Sequence, residues 1–125
     1  MVNDYTIDEI FPCPVYFAHR NSDLDLLELE DVKSIIDEEG GMHANIRNSI
    51  SDNTYIFNTK LKKIKEFCEK HIKIYVREVI SPKEELDFYI TQSWLISTRP
   101  GESHHVHKHP NGLISGIFYV STVEE

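Results

Sequence analysis

The spacing of apolar positions changes near residue 82, and the change divides the chain into a helical part and a strand part. Leu24, Leu27, Val32, Ile35 and Ile36 recur at helical spacing. Asn21 and Ser22 can cap that helix, which is predicted to run to about Glu38, where Gly40-Gly41 ends it. Ahead of it, Ile10 to Ala18 reads as an extended segment punctuated by Pro12 and Pro14. Residues 42–57 are mixed and polar and read as a loop. A second helix is expected from Asn58 or Thr59, with Leu61, Ile64, Cys68, Ile72, Tyr75 and Val79 forming one apolar stripe. Pro82 marks its end, because the residue before a proline is pushed out of the helical region.

After Pro82 the period becomes two. Phe88, Ile90, Gln92, Trp94 and Ile96 alternate with Tyr89, Thr91, Ser93, Leu95 and Ser97, which predicts a strand over 88–97. Arg99-Pro100-Gly101-Glu102 and Pro110-Asn111-Gly112 read as turns. Leu113 to Ser121 reads as a further strand, apolar on both faces and therefore buried in a sheet. The helical region spans about 20–81 and the strand region about 86–121, an α+β layout in a single domain.

Composition fits that picture. The chain has 125 residues, 40% hydrophobic and 27% charged, as expected of one folded domain. No apolar run approaches the roughly 20 residues needed to span a bilayer, and Met1 to Tyr5 lacks the pattern of a secretory signal. Cys13 and Cys68 lack metal-ligand spacing and read as reduced thiols of a cytoplasmic protein. Net charge is −8, and the first forty residues hold eleven acidic side chains against Arg20 and Lys33. That distribution argues against a nucleic-acid partner, since phosphate binding needs clustered cations. The lysines at 60, 62, 63 and 65, with Glu66 and Glu69 nearby, read as the solvated face of the second helix.

The candidate chemistry lies at 104–109. Four of the seven histidines of the chain, His104, His105, His107 and His109, fall within six residues. Neutral imidazole is the commonest protein metal ligand. In a strand, residues i and i+2 share a face about 6–7 Å apart, so two imidazoles at that spacing can lean onto one ion with bonds of about 2 Å. His107 with His109 fits, as does His105 with His107, whereas His104 is expected on the opposite face from the latter pair. His19, His43 and His71 are assigned structural roles, with a hydrogen-bond partner sufficing for His71.

These residues carry a resemblance. Trp94, Gly101, His107-Lys108-His109-Pro110-Asn111 and Ser115-Gly116-Ile117-Phe118-Tyr119-Val120 look like a family of 2-oxoglutarate- and Fe(II)-dependent oxygenases found in bacteria and tailed phages, including those of marine cyanobacteria. Phe11-Pro12-Cys13-Pro14-Val15-Tyr16 resembles the opening segment of that family, although only about Gln92 to Ser121 is specific. The resemblance implies a double-stranded β-helix, a jelly-roll of two facing sheets with helices on one side. It implies Fe(II) as metal and 2-oxoglutarate as co-substrate, bound at a facial triad that leaves three open positions. His107 would be the first ligand, and His109 stands where the family usually has a carboxylate. His105 and His104 are the secondary candidates. Trp94, Ser115 and Tyr119 could line the co-substrate pocket, with ordinary core packing the preferred role for Trp94 and Tyr119.

The distal His of the family, and the Arg that pairs with the co-substrate, would fall beyond residue 121. The resemblance thus predicts an incomplete jelly-roll, a piece of a larger oxygenase or one completed by another copy of the chain. The spacing Gly101, five residues, His107-x-His109 and a later Gly116 is also similar to the first half of a cupin motif, but Leu113 and Ile114 stand where cupins want Glu. Three functions follow in order: an oxygenase or part of one acting on an unknown substrate, a cupin-like metal-binding protein without redox chemistry, and a phage structural or interaction domain with a vestigial site.

Overall fold

A computed structural model describes residues 11–38 and 40–121. They form an α+β unit with two helices, α1 (Leu26–Asp37) and α2 (Lys62–Tyr75), and three short strands, β1 (Met42–Ala44), β2 (Ser49–Ser51) and β3 (Ile96–Ser97). The strands make one antiparallel sheet in the order β1-β2-β3, with Met42 opposite Ser51 and Ile50 opposite Ile96. A 3₁₀ turn, Ile56–Asn58, precedes α2, and a π-helical turn, Val76–Ile80, extends it.

Helix α1 starts later than the pattern suggests. Its cap is Asp25, not Asn21 or Ser22, because Asp25-Leu26-Leu27-Glu28 closes a capping box. The Glu28 N–H donates to Asp25 Oδ1 at 2.9 Å, and the Asp25 N–H donates to Glu28 Oε2 at 2.8 Å. Glu28 is 2% exposed, and Arg20 holds it with two hydrogen bonds of 2.7 and 3.0 Å. At the other end Gly40 adopts φ +72°. A Cβ on Gly41 would overlap the Ile35 carbonyl oxygen and stand 2.8 Å from that of Glu38, so the exit from α1 requires glycine there.

Polar ties join the two helices. The Leu61 N–H donates to Asp31 Oδ2 at 2.6 Å, Lys60 Nζ reaches Ser34 Oγ at 2.8 Å and Glu38 Oε1 at 2.6 Å, and Lys63 pairs with Asp25. Two of the lysines read as a solvated face therefore bind α1, while Lys62 and Lys65 pair along α2 with Glu66 and Glu69 at 3.9 Å. The core between the helices is small. Ile35, Ile56, Leu61 and Ile64 are buried, with Leu24, Val32, Phe57, Cys68, Leu95 and Phe118 packed around them. His71 takes the structural role expected of it, with Nδ1 2.8 Å from Tyr16 Oη and its ring 4.4 Å from Phe67.

Burial pushes the Glu28 carboxyl up, but the Arg20 guanidinium and the Asp25 N–H outweigh it and hold the group below its ordinary 4.5. A carboxyl with a depressed folded value stabilises the fold fully above its unfolded value, and that contribution disappears as pH falls through the folded value. Urea-unfolding free energy is therefore expected to drop as pH is lowered from about 4.5, and Glu28→Gln should flatten that drop. A variant with an unchanged profile would assign the acid sensitivity elsewhere.

Several expected elements differ. Residues 42–57 hold the β1–β2 hairpin and the 3₁₀ turn rather than a featureless loop. The ten-residue strand over 88–97 is realised only as β3 and an isolated parallel bridge between Ser93 and Tyr55. Leu113–Ser121 joins no ladder and is not buried in a sheet: Leu113, Ile117 and Tyr119 are 72, 79 and 73% exposed. The alternation of that stretch persists, however, since Ile114, Phe118 and Val120 are partly covered. The two facing sheets of a jelly-roll are not formed by the described residues. Ile10 and the segment Met1 to Tyr5 lie outside them. No helix of the described residues is long and apolar enough to cross a membrane.

Candidate metal centre

Two turns and one hairpin place the histidines. In the first turn the Glu102 N–H donates to Arg99 O at 2.9 Å, with Pro100 and Gly101 at the centre. Gly101 has φ +83°, the third-position conformation of a type II turn that glycine supplies without strain. In the second, the Gly112 N–H donates to His109 O at 3.3 Å and Asn111 takes φ +62°. Between them the Ser103 N–H donates to Arg47 O at 3.3 Å, which docks the segment on the β1–β2 tip. That tip, Asn45 to Asn48, is closed by the Asn45 N–H donating to Asn48 O at 2.8 Å.

The four imidazoles converge around His107. Ring centroids lie 4.6 Å from His104 to His107, 5.0 Å from His105 to His107 and 4.7 Å from His107 to His109. His104 does not face away, as period-two reasoning expects, because 102–109 is an irregular run and not a laddered strand. Desolvation by surrounding atoms, then the neighbouring His107, His105 and His109, hold the exposed His104 imidazole below its usual range. His105 Nδ1 is shielded from solvent and has no hydrogen-bond partner.

The preferred pair shows the clearest geometry. His107 Nε2 and His109 Nε2 are 2.9 Å apart. Two nitrogens bound at about 2.1 Å and a right angle to one ion stand roughly 3.0 Å apart, and at the tetrahedral angle roughly 3.4 Å. The observed separation thus fits two adjacent positions of an octahedral ion. His107 Nδ1 lies 2.8 Å from His105 O. A carbonyl only accepts, so the proton sits on Nδ1 and the Nε2 lone pair is free, the arrangement that orients metal-binding histidines. Without an ion, His109 Nε2–H can donate to that lone pair; a bound ion requires His109 to move its proton to Nδ1. The donor set stops at two, because among the described residues no group of three or more His, Cys, Asp or Glu is placed to hold a metal.

The co-substrate candidates divide. The Trp94 ring is 5.4 Å from that of His109, on a segment held by the Leu95 N–H donating to Ser51 Oγ at 2.9 Å. Ser115 and Tyr119 lie on the exposed side of 113–121, and neither has a described hydrogen bond or ring contact with the cluster. A shallow concavity along α2, lined by Phe57, Lys62 and Glu66 among others, lies apart from the histidines and gathers no catalytic set.

The sequence pattern 92–121 and the paired imidazoles coincide in one stretch. Residues 92–125 match the family model described as "Putative 2OG-Fe(II) oxygenase". The matched segment contains Trp94 and all four clustered histidines and covers 34 of the 125 residues. No curated protein and no solved structure matches the chain. The name of the family implies Fe(II) and 2-oxoglutarate, and the His107–His109 pair fits two ligand positions of such an ion.

Asn48 is the residue that sequence reasoning missed. It is 5% exposed and touches His104 across 56 positions of sequence. A lone asparagine in a polar stretch has no signature of such a role.

Proposed function

We propose that this chain carries the metal-binding part of an Fe(II)- and 2-oxoglutarate-dependent oxygenase, with His107 and His109 as iron ligands. The observation that carries the proposal is the pair of Nε2 atoms 2.9 Å apart, with the His107 proton committed to His105 O, inside the matched segment. Bound together, the iron and the co-substrate supply the O₂ activation needed to oxidise a substrate C–H bond. The residues of the chain orient that chemistry. His107 presents its Nε2 lone pair, and His109 presents a second once its proton moves to Nδ1. Trp94 lies beside His109, and the two turns flank the pair. In this reading 113–121 is a strand of a double-stranded β-helix. Its alternating burial fits that role, in which a partner strand pairs with it. Ser115 and Tyr119 become pocket residues once that partner covers their face.

The all-nitrogen donor set favours a second reading, a cupin-like metal-binding protein without oxygenase chemistry. One titration separates the two. Trp94 is the only tryptophan and sits beside His109, so Co(II), a paramagnetic substitute for Fe(II), should quench its fluorescence. Adding 2-oxoglutarate should then tighten Co(II) binding and change its visible spectrum. No quenching would overturn both readings. Quenching that ignores 2-oxoglutarate would leave the second.

A further inference from the structure

The side-chain amide of Asn48 is fully engaged. Its Oδ1 accepts from Asn45 Nδ2 at 2.9 Å, and its Nδ2 donates to Thr98 Oγ1 at 3.3 Å and meets His104 Nδ1 at 2.9 Å. An amide nitrogen has no lone pair to offer, so His104 Nδ1 must accept. In a neutral ring the proton then resides on Nε2. His107 is set the other way, by a backbone carbonyl at its Nδ1. The cluster thus holds opposite tautomers on two rings 4.6 Å apart and nearly perpendicular.

We propose that Asn48 is a positioning residue that locks His104 in its Nε2–H form and so withholds it from a metal held by the His107–His109 pair. The metal part of this statement rests on the function proposed above; the tautomer part does not. With Nδ1 occupied by Asn48 and Nε2 protonated, His104 has no free lone pair, whereas His107 has one. That difference selects ligands within a window where sequence spacing treats the four histidines as near equals. An aspartate at position 48 reverses the selection. A carboxylate only accepts, so the His104 proton moves to Nδ1 and the Nε2 lone pair becomes available.

Long-range ¹H–¹⁵N spectra of the ¹⁵N-labelled, metal-free protein at mildly alkaline pH test this, with the His104 signals identified by their loss in His104→Gln. In the wild-type protein His104 is expected to show protonated Nε2 and bare Nδ1, and in Asn48→Asp the reverse. On adding Zn(II), wild-type shifts should be confined to His107 and His109, and in Asn48→Asp they should extend to His104 Nε2. Wild-type His104 protonated at Nδ1 overturns the proposal, whether or not the variant folds. So does an unchanged tautomer in a folded Asn48→Asp protein, or a wild-type Zn(II) shift at His104 Nε2. Tautomers as stated with no Zn(II) shift at His107 or His109 would uphold the role of Asn48 and sink the metal reading alone.

Discussion

Replacing His107 with alanine is expected to abolish specific metal binding, a loss larger than the roughly 10–100-fold that follows removal of an outer-shell partner. His107 stands at the centre of the cluster, and three ring contacts and the bond to His105 O converge on it. Its removal leaves His109 as a single donor, and one imidazole in water holds a divalent ion weakly. His109→Ala should cost nearly as much, because the remaining His107 lone pair has lost the neighbour 2.9 Å away. His104→Ala should change affinity by less than about tenfold, or 1.4 kcal/mol, since its Nδ1 is committed to Asn48. Quenching of Trp94 by Co(II), with circular dichroism to confirm folding, measures all three. Equal losses in His104→Ala and His107→Ala would move the ligand assignment away from the 107–109 pair.

How much of this was legible follows from the range over which each feature is encoded. The α2 stripe and the stop after Asp37 are local, and they appear close to where the pattern places them. Helix α2 nevertheless begins at Lys62, and its far end buries Val76 while Val79 is 40% exposed. The cap of α1 was also local, yet Asn21 and Ser22 look like ordinary caps. Only the burial of Glu28 against Arg20 shows that the box at Asp25 prevails. Strands are less legible because alternation reports which side chains face inward, not whether a ladder partner is present. Residues 113–121 keep their alternation without a partner, and β1 and β2 have three residues each, too few for a periodic signal. The site divides in the same way. Histidine density is a property of six consecutive residues, but the orientation of His104 depends on Asn48 in a distant hairpin and on turns that break the expected period.

Ile64→Ala is expected to have the largest effect on stability, about 3 kcal/mol within the usual 2–5 for emptying a buried Ile site. Ile64 is 2% exposed and packs with Ile35, Ile56 and Leu61, the whole of the buried cluster between the helices. A core of this size has little to collapse into the cavity. Domains of this length unfold at roughly 5–15 kcal/mol, so the loss is a large share of the total. The effect should also reach the site. Leu95 packs on the same cluster and neighbours Trp94, and Phe118 ties 113–121 to it. The control is Leu27→Ala. Leu27 belongs to the α1 stripe by spacing but is 68% exposed, so its loss should cost about 0.5 kcal/mol or less. Urea midpoints compare the two directly. Similar midpoints would mean that α1 buries its Leu27 face in solution, and that the helical core is larger than the Ile35–Ile64 cluster.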